Sequence, residues 1–503
     1  MEKDNKTETN ENNQMKKIIY KGKEKIIPIK NPDPKKCELY IVKKGRYCHF
    51  DKYKGSEYCV YHRTEKDEYL ICPYDPKHRI LKDKYKSHLK VCNTLMNEKN
   101  LEKNEWFIKN YNKSKPDKNF PLPPDEDLMK IYNQKYEHLS IEEFEHYIQI
   151  ILDSYEIAKK LYSSYIKEND LENYVNKNLN TNIKNKEIFY SISGLNIDSE
   201  KDLKHTEQRQ HLEKHTIQNE ALSNLVFNSG LMDRNSENTI LVEFGAGKGG
   251  LSEEINKENN DKAIYILLER AGLRFKKENK NQKDHSIRYK TDIIDFNLNY
   301  IDNIDKITKE EKQKKLLEEK GYNIIGIAKH ICGCAFDLSL SAIFNYEHQE
   351  RIKGLVMATC CHHICRIELL NHLYYYMDIL KMNVKEIIFL FKASSWLFSH
   401  VYKKDKKEND NKDEDNKDDN NEDYNDNNDN DSDEEFKKNK NEINKIFEKR
   451  NINRKYIGIM AKYIIDIGRC KCLIDRGFKK VLYLKYCSNA ITTENNAILA
   501  IKN

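Results

Sequence analysis

The chain has 503 residues, enough for two to four domains, with 34% charged and 38% hydrophobic residues. No apolar run approaches the roughly 18–20 residues that span a membrane, and residues 1–13 contain no apolar signal-peptide core, which argues against a membrane or secreted protein. We expect an intracellular protein of the nucleus or cytoplasm, whose thirteen cysteines are metal ligands or packed thiols rather than disulfides. The net charge is only +6, but the first hundred residues are lysine-rich. That bias suits a nucleic-acid partner and equally suits solvated surface lysines.

Residues 1–30 are polar and are predicted to be disordered, and a first Cys/His cluster follows within residues 31–65. Its spacing is C-x10-C-x10-C-x2-H, formed by Cys37, Cys48, Cys59 and His62. Three thiolates and one imidazole form a closed tetrahedral Zn²⁺ set, which indicates a structural CCCH finger rather than a catalytic site. The alternative is a group of buried thiols, but packing explains the short Cys59-x-x-His62 pair poorly.

A second cluster lies within residues 66–98, with spacing C-x5-H-x9-H-x3-C. Its members are Cys72, His78, His88 and Cys92. His88 and Cys92 are four residues apart and are predicted to share one face of a helix. The segment is too short for a core of its own, so we expect Zn²⁺ to supply its folding energy.

Residues 99–200 are predicted to be a linker and helical region. Residues 115–125 are proline-rich and cannot be helical. From Ser140 to about Leu171 the apolar residues recur with helical period, and Ser140 with Glu143 forms a candidate capping box at the start.

Residues 201–503 are predicted to form an α/β domain with a parallel, doubly wound sheet. Apolar β-like runs at 239–244, 263–269, 323–328 and 353–358 alternate with segments typical of helices or loops. Residues 403–441 are acidic and almost without apolar side chains, which predicts a disordered insertion. Two further runs, at 480–486 and 497–501, are predicted to pair as a terminal hairpin.

A glycine-rich turn follows the predicted strand at 239–244 and can bring a cofactor close to the backbone. Its spacing fits two cofactor classes, because Gly245, Gly247 and Gly250 also match the dinucleotide fingerprint. Glu243 and Gly249 complete instead the acid-x-G-x-G-x-G motif usual in Rossmann-like methyltransferases, which favours S-adenosylmethionine over a nicotinamide. The predicted cofactor residues are Glu243, Gly245, Gly247, Gly249, Glu269 at the next strand end for the ribose hydroxyls, and Asp292 near the adenine.

Two polar segments follow later strands and are predicted to lie at the carboxyl edge of the sheet, where such folds bind substrates. Lys329 and His330 belong to the first, which runs from Ala328 to Ser339. His362 and His363 belong to the second, at 358–365, together with Cys360 and Cys361. A third metal site formed by those four neighbouring residues is an alternative to a packed thiol cluster, although adjacent ligands strain a tetrahedral geometry.

Together these motifs resemble the eukaryotic tRNA 2′-O-methyltransferases that modify nucleotide four of the acceptor stem. The resemblance covers both Cys/His clusters, the glycine turn, both polar segments, and Gly468-Arg469 and Thr493-Glu494-Asn495 near the end. The acidic insertion departs from the family pattern and affects the domain boundaries.

The resemblance implies a class I methyltransferase sheet, S-adenosylmethionine and two Zn²⁺ ions as cofactors, and tRNA as partner. A ribose 2′-OH is a weak nucleophile until it is deprotonated, and Lys329, His330, His362 and His363 are the candidate bases. The alternatives are a zinc-finger RNA-binding protein with an inactive methyltransferase fold, and a nicotinamide oxidoreductase.

Overall fold

The computed structural model describes residues 15–20, 23–59, 61–62, 69–115, 117–181, 183–193, 211–273, 276, 285–398 and 434–502. These residues form two compact units, one up to Asn100 and the other from Leu101 onwards. No described helix is both long and apolar enough to cross a membrane.

The first unit consists of three small hairpins and two helices. Its elements are β1 (Met15–Tyr20), β2 (Lys23–Pro28), β3 (Tyr40–Ile41), β4 (Arg46–Tyr47), β5 (Tyr69–Cys72), β6 (Asp75–Leu81), α1 (Lys82–Val91) and α2 (Asn93–Leu101), the last of which crosses the boundary. Consecutive strands pair antiparallel. The prediction of disorder over residues 1–30 was wrong for β1 and β2, whose β-branched isoleucines favour strands. Residues 1–14 lie outside the described residues.

The second unit is built around one eight-stranded sheet. Its elements are α3 (Asp125–Asn133), α4 (Ile141–Glu168), α5 (Leu171–Tyr174), β7 (Ser191–Ile192), α6 (His211–Asn228), β8 (Thr239–Phe244), α7 (Gly250–Asn259), β9 (Ile264–Leu268), β10 (Ser286–Tyr289), α8 (Ile304–Ile307), α9 (Glu311–Lys320), β11 (Asn323–Cys332), α10 (Ala335–Phe344), β12 (Ile352–Cys360), α11 (Val384–Ala393), α12 (Glu434–Lys449), α13 (Arg454–Asp475), β13 (Lys480–Lys485) and β14 (Asn496–Ile501).

The strand order is β10-β9-β8-β11-β12-β14-β13-β7. The five strands from β10 to β12 are parallel; four of them match the predicted runs, and β10 was not predicted. The predicted terminal hairpin of β13 and β14 is confirmed. Strand β14 pairs antiparallel with β12, so the sheet is mixed rather than wholly parallel. From β8 the chain adds β9 and β10 on one side of the sheet, and it then returns to add β11 and β12 on the other side of β8. In open α/β sheets ligands bind outside the carboxyl ends of the strands at such a switch point.

The predicted linker and helical region packs into the core of this unit. Helix α4 begins with the predicted capping box, in which Glu143 N donates to Ser140 Oγ and Ser140 N donates to Glu143 Oε2. Near its other end, Tyr162 and Tyr165 accept hydrogen bonds from Tyr483 N and Val481 N of β13. Strand β7 pairs with only two residues of β13, so α4 covers the remaining edge of that strand. This region is therefore part of the α/β domain and not a separate linker.

The predicted disordered insertion at 403–441 ends earlier than expected, because a helix begins at Glu434. Residues 434–441 form the first half of α12, which the charged sequence did not suggest. The second half of this helix buries Ile443 and Ile446, and that apolar anchor explains why the helix extends back into the charged residues. Residues 403–433 lie outside the described residues.

Candidate active site and zinc modules

The glycine-rich turn joins the buried strand β8 to helix α7 at the switch point. Gly245 and Gly247 have φ angles of 65° and 52°, a left-handed conformation that favours glycine. A Cβ built on either residue meets no atom within 4 Å, so the backbone faces open space. At Gly250, where the turn enters α7, the Asn219 side chain packs closely on the backbone, and its buried Oδ1 has no partner among the described residues. An open glycine backbone with an unpaired polar group beside it fits a polar cofactor.

Glu243 holds this turn from below rather than facing the open space. Its side chain is buried, and its Oε2 accepts hydrogen bonds from Ser252 Oγ at 2.5 Å and from Ser252 N at 3.3 Å. Burial raises the pKa of Glu243 to about 7, an effect that the two bonds from Ser252 only partly offset. The residue therefore ties the first turn of α7 to β8.

The other two predicted cofactor acids lie at the carboxyl ends of the neighbouring strands. Glu269 follows β9, and its carboxylate accepts hydrogen bonds from Gly247 N at 2.9 Å and Ala271 N at 2.8 Å. Asp292 follows β10 and accepts a bond from Ile294 N at 3.2 Å. Acids therefore stand at the ends of three adjacent strands around the glycine turn.

Lys329 and His330 lie across the switch point, in a bulge near the end of β11. Ala328 pairs with Met357 of β12, and the next pair is Ile331 with Thr359. Over this interval β11 advances three residues and β12 only two, so β11 holds one extra residue in a bulge. His330 has a φ of 59°, rare for a residue with a Cβ and a source of local strain. The bulge thus presents two consecutive polar side chains at the carboxyl edge of the sheet.

Both side chains contact helix α6, which was not predicted to reach the site. Lys329 Nζ lies 3.4 Å from His215 Nδ1, and His330 Nε2 lies 3.1 Å from Gln218 Oε1. Burial lowers the pKa of Lys329 to about 8, although the charge of Glu243 opposes this shift. His215 and Gln218 carried no local signal beyond the polar character of their segment.

The two histidines of the second polar segment have different surroundings. His362 is buried, and its Nε2 lies 2.9 Å from Asp466 Oδ2. His363 is exposed at the surface, although desolvation by the surrounding protein lowers the pKa of its imidazole. The alternative metal set of Cys360, Cys361, His362 and His363 is not formed, because His362 bonds to a buried carboxylate instead.

A buried ion network supports both polar segments from below. The guanidinium of Arg469 contacts Asp337 Oδ2 at 2.7 Å and Asp466 Oδ1 at 2.9 Å, and it donates to Gly333 O at 2.8 Å. All three charged side chains are fully buried. The network therefore fixes the loop after β11 and, through Asp466, the position of His362. The resemblance included Arg469, but only the structure shows what it contacts.

In the first unit, the predicted ligands of each Cys/His cluster converge. Within each cluster, all four candidate ligand atoms lie within 4.8 Å of one another. In the first cluster His62 Nδ1 is 3.5 Å from Cys37 Sγ and 3.3 Å from Cys59 Sγ. In the second, Cys72 Sγ and Cys92 Sγ are 3.7 Å apart, and His88 Nε2 is buried without a partner among the described residues. Cys92 directly follows α1 rather than lying within it. Both donor sets fit tetrahedral Zn²⁺.

Comparison with known families identifies the chain. A family model described as "Methyltransferase TRM13" matches residues 217–501, more than half of the chain. The chain belongs to the TRM13 methyltransferase family. The CCCH zinc finger described for TRM13 proteins matches residues 35–63, and a U11-48K-like CHHC zinc finger matches residues 69–93. Each match contains one complete predicted ligand set, so both clusters belong to zinc-finger modules.

Relatives from distant organisms share the family name. The tRNA:m(4)X modification enzyme TRM13 of Kluyveromyces lactis is 25% identical over 491 residues, which cover 93% of this chain and 95% of the relative. The tRNA:m(4)X modification enzyme TRM13 homologue of Homo sapiens is 26% identical over 525 residues, an alignment that covers 94% of this chain and 95% of the human protein. A homologue from Dictyostelium discoideum is 28% identical over 65% of this chain and 55% of its own length. No solved structure matches the chain.

Proposed function

We propose that this methyltransferase transfers a methyl group from S-adenosylmethionine to the ribose 2′-OH of nucleotide four in the tRNA acceptor stem. The observation that carries the proposal is the arrangement at the switch point, where the open glycine turn follows β8 and the bulge that presents Lys329 lies near the end of the adjacent strand β11. The tRNA substrate is supported by the names of the relatives, which describe tRNA:m(4)X modification enzymes. Because tRNA is an intracellular substrate, the proposal places the protein in the nucleus or cytoplasm.

The residues around the glycine turn suit the proposed cofactor. S-adenosylmethionine supplies an electrophilic methyl group when it is bound. The backbone at Gly245, Gly247 and Gly249 allows its close approach, and Glu269 offers a carboxylate to hydroxyl donors of a ribose. Asp292, at the end of the third strand, is positioned for the adenine side of the site. Glu243 acts indirectly by holding the turn.

Lys329 is the base that the structure favours. A pKa of about 8 leaves roughly a tenth of its amine neutral at pH 7, against almost none for an unperturbed lysine. His363 remains a second candidate, because its imidazole is exposed and its lowered pKa favours the neutral form that can accept a proton. His330 contacts Gln218 and suits orientation of the substrate. His362 is assigned a structural role, since its Nε2 bonds to Asp466 in the interior.

The zinc-finger modules are proposed to contact the tRNA. Phe50 and Tyr61 of the first finger are exposed, and their ring centroids lie 5.2 Å apart. Lys44 and Arg46 stand between its metal ligands and are also exposed. Exposed rings and cations on one module suit ribose, base and phosphate contacts with an RNA whose duplex is recognised mainly by shape.

The experiment is methyl transfer from labelled S-adenosylmethionine to tRNA transcripts by the purified full chain. Label is expected on the ribose of nucleotide four, and a transcript with 2′-deoxyribose at that position should remain unlabelled. The Gly247→Asp variant serves as the protein control, because its carboxylate fills the cofactor side of the turn. Tight tRNA binding without transfer would favour an inactive methyltransferase fold. Calorimetric binding of NAD(H) but not S-adenosylhomocysteine would favour the oxidoreductase.

A further inference from the structure

Three cysteines meet at the ends of two adjacent parallel strands in the second unit. Cys332 is the last residue of β11 and pairs in register with Cys360, the last residue of β12. Their Sγ atoms are 3.3 Å apart, and Cys361 brings its Sγ within 4.8 Å of both. These residues come from the two polar segments, but neither zinc-finger match includes them.

The spacing of these sulfurs resembles that in the two zinc fingers of the same chain. The Sγ atoms of Cys48 and Cys59 are 4.0 Å apart, and those of Cys72 and Cys92 are 3.7 Å apart. Tetrahedral zinc with bonds of about 2.3 Å holds its sulfurs roughly 3.7–3.8 Å apart. A disulfide requires about 2.05 Å, so Cys332 and Cys360 are not bonded to each other. Binding of a metal requires the two sulfurs to separate by only a few tenths of an ångström.

Simple packing does not account for this cluster. The cysteines elsewhere in the interior, such as Cys365, Cys470 and Cys487, are almost completely buried. Cys332 and Cys361 are instead partly exposed to solvent. Cys361 also has a φ of 47°, a costly conformation for a residue with a Cβ. Strain of this kind persists at sites that have a function, and here it turns the third thiol toward the other two.

We propose that Cys332, Cys360 and Cys361 form a third metal site, which binds a thiophilic divalent cation of the zinc type. The chain supplies three thiolates, and within the described residues no further Cys, His, Asp or Glu belongs to the group. The fourth coordination position is therefore open to water or another exogenous ligand, in contrast to the closed sites of the fingers. The metal links the ends of β11 and β12 beside the bulge that carries Lys329.

Metal stoichiometry of the full chain tests this site independently of methyl transfer. Protein purified under reducing conditions and dialysed free of excess metal is expected to hold close to three Zn²⁺ ions per chain by elemental analysis. The Cys332→Ser and Cys360→Ser variants should each hold close to two. The matched control is Cys334→Ser, which removes a partly exposed thiol two residues from Cys332 but outside the group, and should still hold three.

Alkylation mapped by mass spectrometry tests the same site in the unmodified protein, so the result does not depend on whether the variants fold. Iodoacetamide should modify Cys332 and Cys361 slowly in the native chain and at least tenfold faster after a chelator is added. Cys334 should react at the same rate in both conditions. Two metals per chain together with chelator-independent alkylation overturns the proposal. Recovery of a Cys332–Cys360 disulfide in freshly purified reduced protein also overturns it.

Discussion

Lys329 and Glu243 lie on neighbouring strands at the switch point, and each changes the pKa of the other. Ile327 pairs with Glu243 across β11 and β8, and Lys329 follows two residues later. Burial raises the pKa of Glu243 to about 7, and the positive charge of Lys329 opposes this rise. Burial lowers the pKa of Lys329 to about 8, and the negative charge of Glu243 opposes this fall. Glu243, which holds the glycine-rich turn, is therefore coupled electrostatically to the proposed base Lys329.

The first prediction concerns the pH dependence of methyl transfer. The base must be deprotonated to act, so kcat/KM should rise with pH through about 8 and then level off. Lys329→Met should lower kcat by roughly 10²–10⁴-fold and remove this rise. Lys315→Met, at an exposed position on α9, is the matched control and should behave as the parent protein. A Lys329→Met enzyme that keeps the same pH profile would assign the base to another residue, with His363 next.

The second prediction uses Glu243→Gln to test the coupling. The amide keeps an acceptor for Ser252 but removes the negative charge that raises the pKa of Lys329. The midpoint of the pH–rate profile should therefore move to lower pH in this variant. Glu237→Gln, on the loop before β8, is the control and should leave the midpoint unchanged. An upward shift in the Glu243→Gln variant contradicts the coupling.

The third prediction concerns the stability of the same variant. The pKa of Glu243 is higher in the folded chain than the reference of 4.5, so its contribution to stability is complete below pH 4.5 and is lost as pH rises through 7. Replacement by Gln should relieve this loss above pH 7, by roughly 3 kcal/mol at most. Urea unfolding at pH 5 and pH 8 measures the difference, which should be larger at pH 8. An equal effect at both pH values would mean that the carboxyl group is not the cause.

The parts of the fold with short-range signals were predicted from the sequence. The parallel strands are apolar runs bounded by turns, and the capping box at Ser140 is read within four residues. The packing of α4 against the edge of β13 was not predictable, because an amphipathic helix shows which face is buried but not what covers it. The antiparallel insertion of β14 beside β12 likewise depends on a pairing between segments far apart in the chain.

In the candidate site, too, the residues with a short-range signal were predicted and those with only long-range contacts were not. Lys329 and the glycines were found because they follow predicted strands, where α/β sheets bind ligands. His215 and Gln218 lie more than a hundred residues before their partners and carry no motif. Arg469 is a charged residue within a largely apolar helix, which signals a buried ion but does not name its partners. Only the folded chain identifies Asp337 and Asp466.

The fourth prediction concerns that buried network. Arg469→Met leaves the carboxylates of Asp337 and Asp466 without their cation in the interior, which should destabilise the second unit by about 3–5 kcal/mol. Arg450→Met removes only a solvent-exposed bond to Gln149 and should change stability by less than about 0.5 kcal/mol. Urea unfolding followed by fluorescence distinguishes the two variants. Equal stability of both would show that the ion network contributes little.

The last prediction concerns zinc removal from the first unit. Among the described residues, the apolar cluster around the first site consists of Cys37, Cys48 and Cys59, with Ile41 and Tyr58 packed against them. A core of that size cannot offset the loss of chain entropy, so the metal must supply the folding energy. A strong chelator should therefore increase amide hydrogen exchange across residues 31–59 and 69–92, while the strands β8 and β9 stay protected. Exchange in Cys37→Ser should rise in the first range alone. Unchanged exchange in both ranges, with zinc shown to be absent, would contradict a structural role for the metal.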